Sequence, residues 1–258
     1  MYGAAPFAVK RAVWESALIS SILYSCETWL TDSLKPAEQV YQRTLKDLVG
    51  VRYQTPSDLV YVETGTPPLS AFVAHRQRKF LLKLEASSHF EGSPVQRAID
   101  LARAHASPMS LYMQRLLASP GPDPTSALSD VKARIRSADT TRAVTYMSIN
   151  PTLETQPVYR ARQRSPHTFE PYRLAFSRLR LGSHRLRVET GRWSRTPRDL
   201  RVCTCGPFVQ DEDHVVRKCA RTRHVSCFDE CTPVSAALSV CENSDAPKLC
   251  YDILCAML

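Results

Sequence analysis

VKRAVWESALISSILYSCETWL, residues 9–30, decides the fold class. Trp14, Leu18, Ile22, Cys26 and Trp29 recur at steps of four or three residues, the period that lines side chains along one face of an α-helix. Lys10, Arg11 and Glu15 interrupt the apolar run, and no small-residue cleavage site follows it. It therefore reads as an amphipathic core helix from about Val9 to Leu30, with Cys26 in the core, and not as a signal peptide. No stretch of about eighteen apolar residues occurs anywhere, so a membrane span is not expected.

The same period continues outward. Ala37, Tyr41, Leu45 and Leu48 stripe a second helix that starts near Ser33 to Pro36 and stops at Gly50, the expected left-handed terminus. Thr55-Pro56 reads as a cap and a first-turn proline, opening a short helix from Ser57 to Glu63 closed by Gly65. Pro67-Pro68 precedes a longer, basic helix striped by Leu69, Phe72, Val73, Arg76, Phe80 and Leu84. Together these predict a helical bundle over residues 5–86 within a mainly α protein.

Residues 87–148 read as additional helices, from Val95 to Ala106, Met109 to Ala118 and Ala127 to about Tyr146, around the proline-rich loop 119–126, SPGPDPTS. Scattered prolines and no period make 149–171 a poorly ordered linker in this reading. An arginine-rich metal module is expected over 172–228, and a cysteine-containing helical tail over 229–258.

The chain has a net charge of +9, and its sign has one source. Twelve arginines and three acids lie between Arg160 and Arg201, a surplus that equals the whole excess. A guanidinium fork pairs with phosphate bidentately and stacks on bases, so this segment points to RNA or DNA; a solvated basic face is the plainer alternative. The candidate phosphate contacts are Arg178, Arg180, Arg185, Arg187, Arg192 and Arg195, with Trp193 or His184 available to stack on a base unless they serve packing or capping.

Eight of the nine cysteines fall between Cys203 and Cys255. Without a secretory signal the expected compartment is intracellular, nuclear or cytoplasmic, where thiols stay reduced or bind metal. RVCTCGPFVQDEDHVVRKC, residues 201–219, offers Cys203, Cys205, His214 and Cys219 as four ligands for a structural zinc ion. His-x4-Cys suits such a site, and Gly206-Pro207 supplies a turn; Cys-x-Cys is tighter than the usual spacing of two to four residues and implies strain. Asp211, Glu212 and Asp213 could accept the imidazole N–H, or form a solvated acidic turn. A second ligand selection, Cys219, His224, Cys227 and Cys231, also has workable spacing, and free thiols remain a third possibility.

The sequence holds no glycine-rich phosphate loop, Gly-x-Ser-x-Gly elbow, His-Glu-x-x-His or paired catalytic aspartates. Glu212 beside an open zinc is the weakest option, and the chain is not expected to be an enzyme.

VWESALISSILYSCETW, LVGVR, ETGTPPL and HRQRKFLLKL resemble the region just downstream of the polymerase core in reverse transcriptases of non-LTR, LINE-type retrotransposons. RLRLGSHRLRVETGRW and RVCTCGPFVQDEDHVVRKC resemble the cysteine-histidine segment at the C-terminal end of the same proteins. The matches span about half the chain in the family's order. The resemblance implies a thumb-like helical region followed by a zinc-knuckle-like nucleic-acid-binding tail, with Cys203, Cys205, His214 and Cys219 at the family's ligand positions. It does not imply polymerase activity, because the Tyr/Phe-x-Asp-Asp motif of the palm is missing, and it suggests a truncated relic of a mobile element. A zinc-stabilised protein-interaction module with no nucleic-acid role is the alternative.

Overall fold

The computed structural model describes residues 5–29, 34–87, 92–105, 108–118, 123–159, 170–240 and 245–257. The protein is mainly helical. Among the described residues the extended pairing is a single antiparallel bridge, Val202 with Val209, and no helix is long and apolar enough to cross a membrane.

The opening stretch forms α1 (Phe7–Val13), a π-helical segment (Trp14–Ile19) and α2 (Ser20–Ile22). The helix expected to reach Leu30 ends at Ile22, and Ser25 is left-handed at φ 54°. Tertiary bonds replace the helical ones: Gln77 donates to the Cys26 and Trp29 carbonyls at 2.9 and 3.2 Å, and Arg76 donates to that of Leu23. The stripe is still buried or packed on the core, since local propensity yields to packing.

Next, α3 (Lys35–Val49) stops at Gly50, with φ 80°. A side chain at this left-handed backbone position would be strained, which is why glycine stands there. α4 (Ser57–Thr64) is buried from Leu59 to Thr64; Thr55, expected to cap it, is buried, and Pro56 occupies the N-terminal boundary with no side-chain cap bond. α5 (Leu69–Ser87) completes the first group. Tyr41 is its hub: the ring lies 5.4 Å from that of Trp14 and 6.4 Å from that of Phe72, and its hydroxyl donates to the Pro67 carbonyl at 2.7 Å.

α6 (Pro94–Ala104) and α7 (Pro108–Ala118) follow. Residues 119–122 of the proline-rich loop lie outside the described residues, but Asp123 caps α8 (Pro124–Ser137) by accepting the Thr125 and Ser126 amides. The helix expected over 127–146 is in fact two, because the chain turns at Ala138 and Thr140 caps α9 (Thr141–Ile149). The linker reading of 149–171 also needs correction. Leu153, Val158 and Tyr159 are buried, and the Gln156 amide donates to the Glu63 carbonyl, so 150–159 is part of the core; 160–169 lie outside the described residues.

α10 (Glu170–Arg180) runs through the centre. Its Arg173 reaches the Val49 carbonyl and the Glu170 carboxylate, over the face of Phe7. Its Arg180 forms a two-point ion pair with Glu63, both side chains fully buried, and donates to the Leu238 carbonyl. Tyr146 donates to the same carboxylate at 2.8 Å, so both Glu63 oxygens are satisfied. α11 (Arg187–Trp193) and α12 (Val234–Ala237) lead to α13 (Ala246–Met257), which seats Leu249, Cys250 and Ile253 in the core. The tail read as helical carries α12 and α13 among its described residues, and one hydrophobic cluster extends from Phe7 to Ile253, taking in Val215 and Val216 of the Cys/His loop.

Candidate metal centre

The four predicted ligands come together through two local devices. In the first, the Cys203 amide donates to the Phe208 carbonyl at 2.7 Å and the Gln210 amide to that of Arg201 at 2.9 Å, folding 201–210 into a small hairpin that carries Cys203 and Cys205 at its turn. No residue of this turn enters the left-handed region, so the short Cys-x-Cys step is accommodated without that strain. In the second, Asp211 accepts the His214 amide and His214–Lys218 winds as a π-helix, with the Cys219 amide donating to the His214 carbonyl. In an α-helix a step of five residues would turn a side chain about 140° away. The wider i to i+5 turn brings Cys219 back to the side of His214.

The ligand atoms of Cys203, Cys205, His214 and Cys219 all lie within 4.8 Å of one another, and the group could hold a metal ion. Cys203 and Cys219 Sγ are 3.7 Å apart, and Cys205 Sγ is 3.1 Å from His214 Nε2. A tetrahedron with metal–sulfur bonds of about 2.3 Å has sulfur–sulfur edges of about 3.8 Å. A disulfide would need about 2.05 Å, and these thiols are free. Burial raises the Cys203 thiol, but the Cys205 amide and the facing Cys205, His214 and Cys219 side chains outweigh it and bring it down to about 6. Burial and then the neighbouring Cys203 and Cys219 push Cys205 up to about 11. The pocket thus favours one thiolate and resists the next, an imbalance that a dication bound by all three would remove.

The surrounding groups differ from expectation. None of the three acids accepts from the imidazole: Asp211 holds the His214 backbone, Asp213 pairs with Arg217, and Glu212 accepts from His184 Nε2 at 2.8 Å. His214 Nδ1 is buried without a partner among the described residues, while its ring stacks on Phe208 at 5.7 Å. The second ligand selection does not assemble: Cys227 and Cys231 are exposed, and among the described residues they join no cluster of potential ligands.

His184 and Glu212 were not paired by sequence reasoning, since 28 residues separate them and neither belongs to a recognisable motif. His184 Nδ1 accepts the Leu186 amide, which assigns the ring proton to Nε2 and its donation to Glu212. Burial opposes ionisation of Glu212, but the hydrogen bond from His184 holds its carboxyl below the usual range.

The six candidate arginines divide. Arg178, Arg185, Arg187 and Arg195 are exposed. Arg180 is not available to phosphate, being enclosed with Glu63, and Arg192 is paired with Glu189 at 2.8 Å. A helical-face signal was present: Arg173 and Arg180 are seven residues apart on the side of α10 that carries Phe176, whereas Arg178 lies off it. Trp193 is 60% exposed, with the Arg52 guanidinium 4.2 Å from its ring centroid.

Compared with protein-family models, with curated proteins and with solved structures, the chain matches none.

Proposed function

We propose that this protein binds single-stranded RNA or DNA through arginines arranged around a closed, structural zinc site formed by Cys203, Cys205, His214 and Cys219. The observation that carries this reading is that cationic side chains are fastened onto the ligand-bearing loop itself. Arg187 donates to the Val202 carbonyl, Arg221 to Thr204 Oγ1 and Arg198 to Asp211, and all three are exposed. Phe208 and Trp193 add exposed aromatic faces of the kind on which unpaired bases stack. Three thiols and an imidazole fill a tetrahedron, leaving no open position for a reacting water, which favours a structural over a catalytic ion. The resemblance to the C-terminal part of non-LTR reverse transcriptases supports the same reading, in which the protein derives from such an element. Polymerisation is not proposed, because the chain has no palm aspartate pair.

Filter binding of the full chain to single-stranded RNA should weaken steeply as salt rises, with a log–log slope of about 0.7 per phosphate contacted. A flat salt response would favour the second reading, a zinc-stabilised protein-interaction module, for which the exposed Leu200, Phe208 and Trp193 would supply an apolar surface. For the metal, purified protein should carry zinc and Cys219→Ser should lose about one equivalent. Equal zinc in both proteins would remove the metal centre from the proposal.

A further inference from the structure

A pocket of about 550 Å³ opens between the end of α3, the turn after α10 and the last turn of α13. Its volume falls in the range of small-ligand sites. Val51, Leu186, Leu254 and Met257 give it an apolar lining, and Arg52, Arg178 and Arg185 supply cations. No acid pairs with any of these three arginines among the described residues. Glu189, the nearest candidate by charge, is occupied by Arg142 and Arg192, one on each oxygen. Asp47 is the one acid in the lining.

The arginines are held in place but not used up. Arg52 donates to the His184 carbonyl at 2.9 Å and lies over Trp193, while its Nη1 is buried without a partner. Arg178 spends its Nε on the Gly50 carbonyl, leaving the two terminal nitrogens without partners among the described residues. Arg185 has no side-chain partner among them at all. Burial lowers the Arg52 pKa, and Arg185 and Arg178 add to that although Glu189 opposes it. Three like charges assembled beside an apolar wall, with one buried guanidinium nitrogen unsatisfied, form a site completed by an anion that also carries a flat apolar part.

We infer that this pocket binds one nucleotide, its phosphate on Arg52, Arg178 and Arg185 and its base against Leu186, Leu254 and Met257. The choice of a nucleotide over other planar anions rests on the nucleic-acid reading above; the pocket and its unpaired arginines do not. The same chemistry is offered by a free mononucleotide and by one unit of a strand.

Calorimetric titration of the full chain with adenosine 5′-monophosphate, adenosine, inorganic phosphate and a 5′-phosphorylated single-stranded RNA oligomer tests it. The monophosphate should bind at least about tenfold more tightly than adenosine or phosphate alone, as expected for charge-assisted hydrogen bonds added to an apolar contact. Arg185→Ala, which removes an exposed and unpaired side chain, should weaken the monophosphate by a similar factor with an unchanged melting temperature, and Arg187→Ala, outside the pocket, should leave it unaltered. No detectable monophosphate binding, or equal affinity for adenosine, or an indifferent Arg185→Ala, would overturn the pocket. Salt-dependent RNA binding alongside any of those outcomes leaves the nucleic-acid reading standing by itself. Tight monophosphate binding without RNA binding supports the pocket, assigns it to a free nucleotide and removes the strand.

Discussion

Glu63 and Arg180 pair in the interior, although Arg180 belongs to a segment whose other arginines include exposed ones such as Arg178. Both side chains are fully enclosed, joined by two bonds, with Tyr146 on the carboxylate and the Leu238 carbonyl on the guanidinium. Separating a buried pair by removing one charge costs about 3–5 kcal/mol, chiefly because the other is left uncompensated. Glu63→Gln should therefore lower the unfolding free energy by about that amount in urea titration, and adding Arg180→Met should restore part of the loss. An additive double variant would show that the two do not couple. Charge density along the chain puts Arg180 among the phosphate contacts, while its position on the face with Phe176 marks it as interior. Its carboxylate partner, 117 residues away, was not legible, since nothing local distinguishes Glu63 from a surface acid.

At the scale of elements, stops were legible where glycine adopts a left-handed conformation, as at Gly50 and Gly65, and illegible where side chains from elsewhere intercept backbone groups, as Gln77 does at Cys26 and Trp29. The four residues of the Cys/His cluster were legible by type and spacing. The π-turn that makes His-x4-Cys work was not, because it depends on the bond from the Cys219 amide to the His214 carbonyl. Inserting one alanine between Lys218, an exposed residue inside that turn, and Cys219 would make the step from His214 six residues, which neither an ordinary helical turn nor a π turn returns to the same face, and should change the direction of the Cys219 thiol. Competition with a chromophoric chelator should then show zinc affinity reduced by at least about tenfold, in line with the 10- to 100-fold losses seen when ligand orientation is disturbed. Unchanged affinity would mean that the loop, not the π-turn, positions the sulfur.

Across the whole molecule, the Cys/His loop is wired into the same core as the N-terminal helices. Val215 and Val216 belong to the cluster that includes Trp14 and Tyr41, and Arg221 ties Thr204 to the Ala256 carbonyl near the end of α13. Stripping the proposed zinc with a chelator should accordingly lower the temperature of one calorimetric transition for the entire chain; a separate low-temperature transition would show a loop that melts alone. Helical class was legible from periodicity, whereas this sharing of a core was not, because it arises from contacts between segments far apart in the chain. His184 sits at the junction: its backbone carbonyl holds Arg52 at the pocket, and its ring holds Glu212 in the Cys/His loop. One consequence is spectroscopic. A buried imidazole proton shared with a carboxylate exchanges slowly and resonates far downfield, so the Nε2–H of His184 offers one magnetic-resonance line able to report from a single atom on ligands arriving at either side.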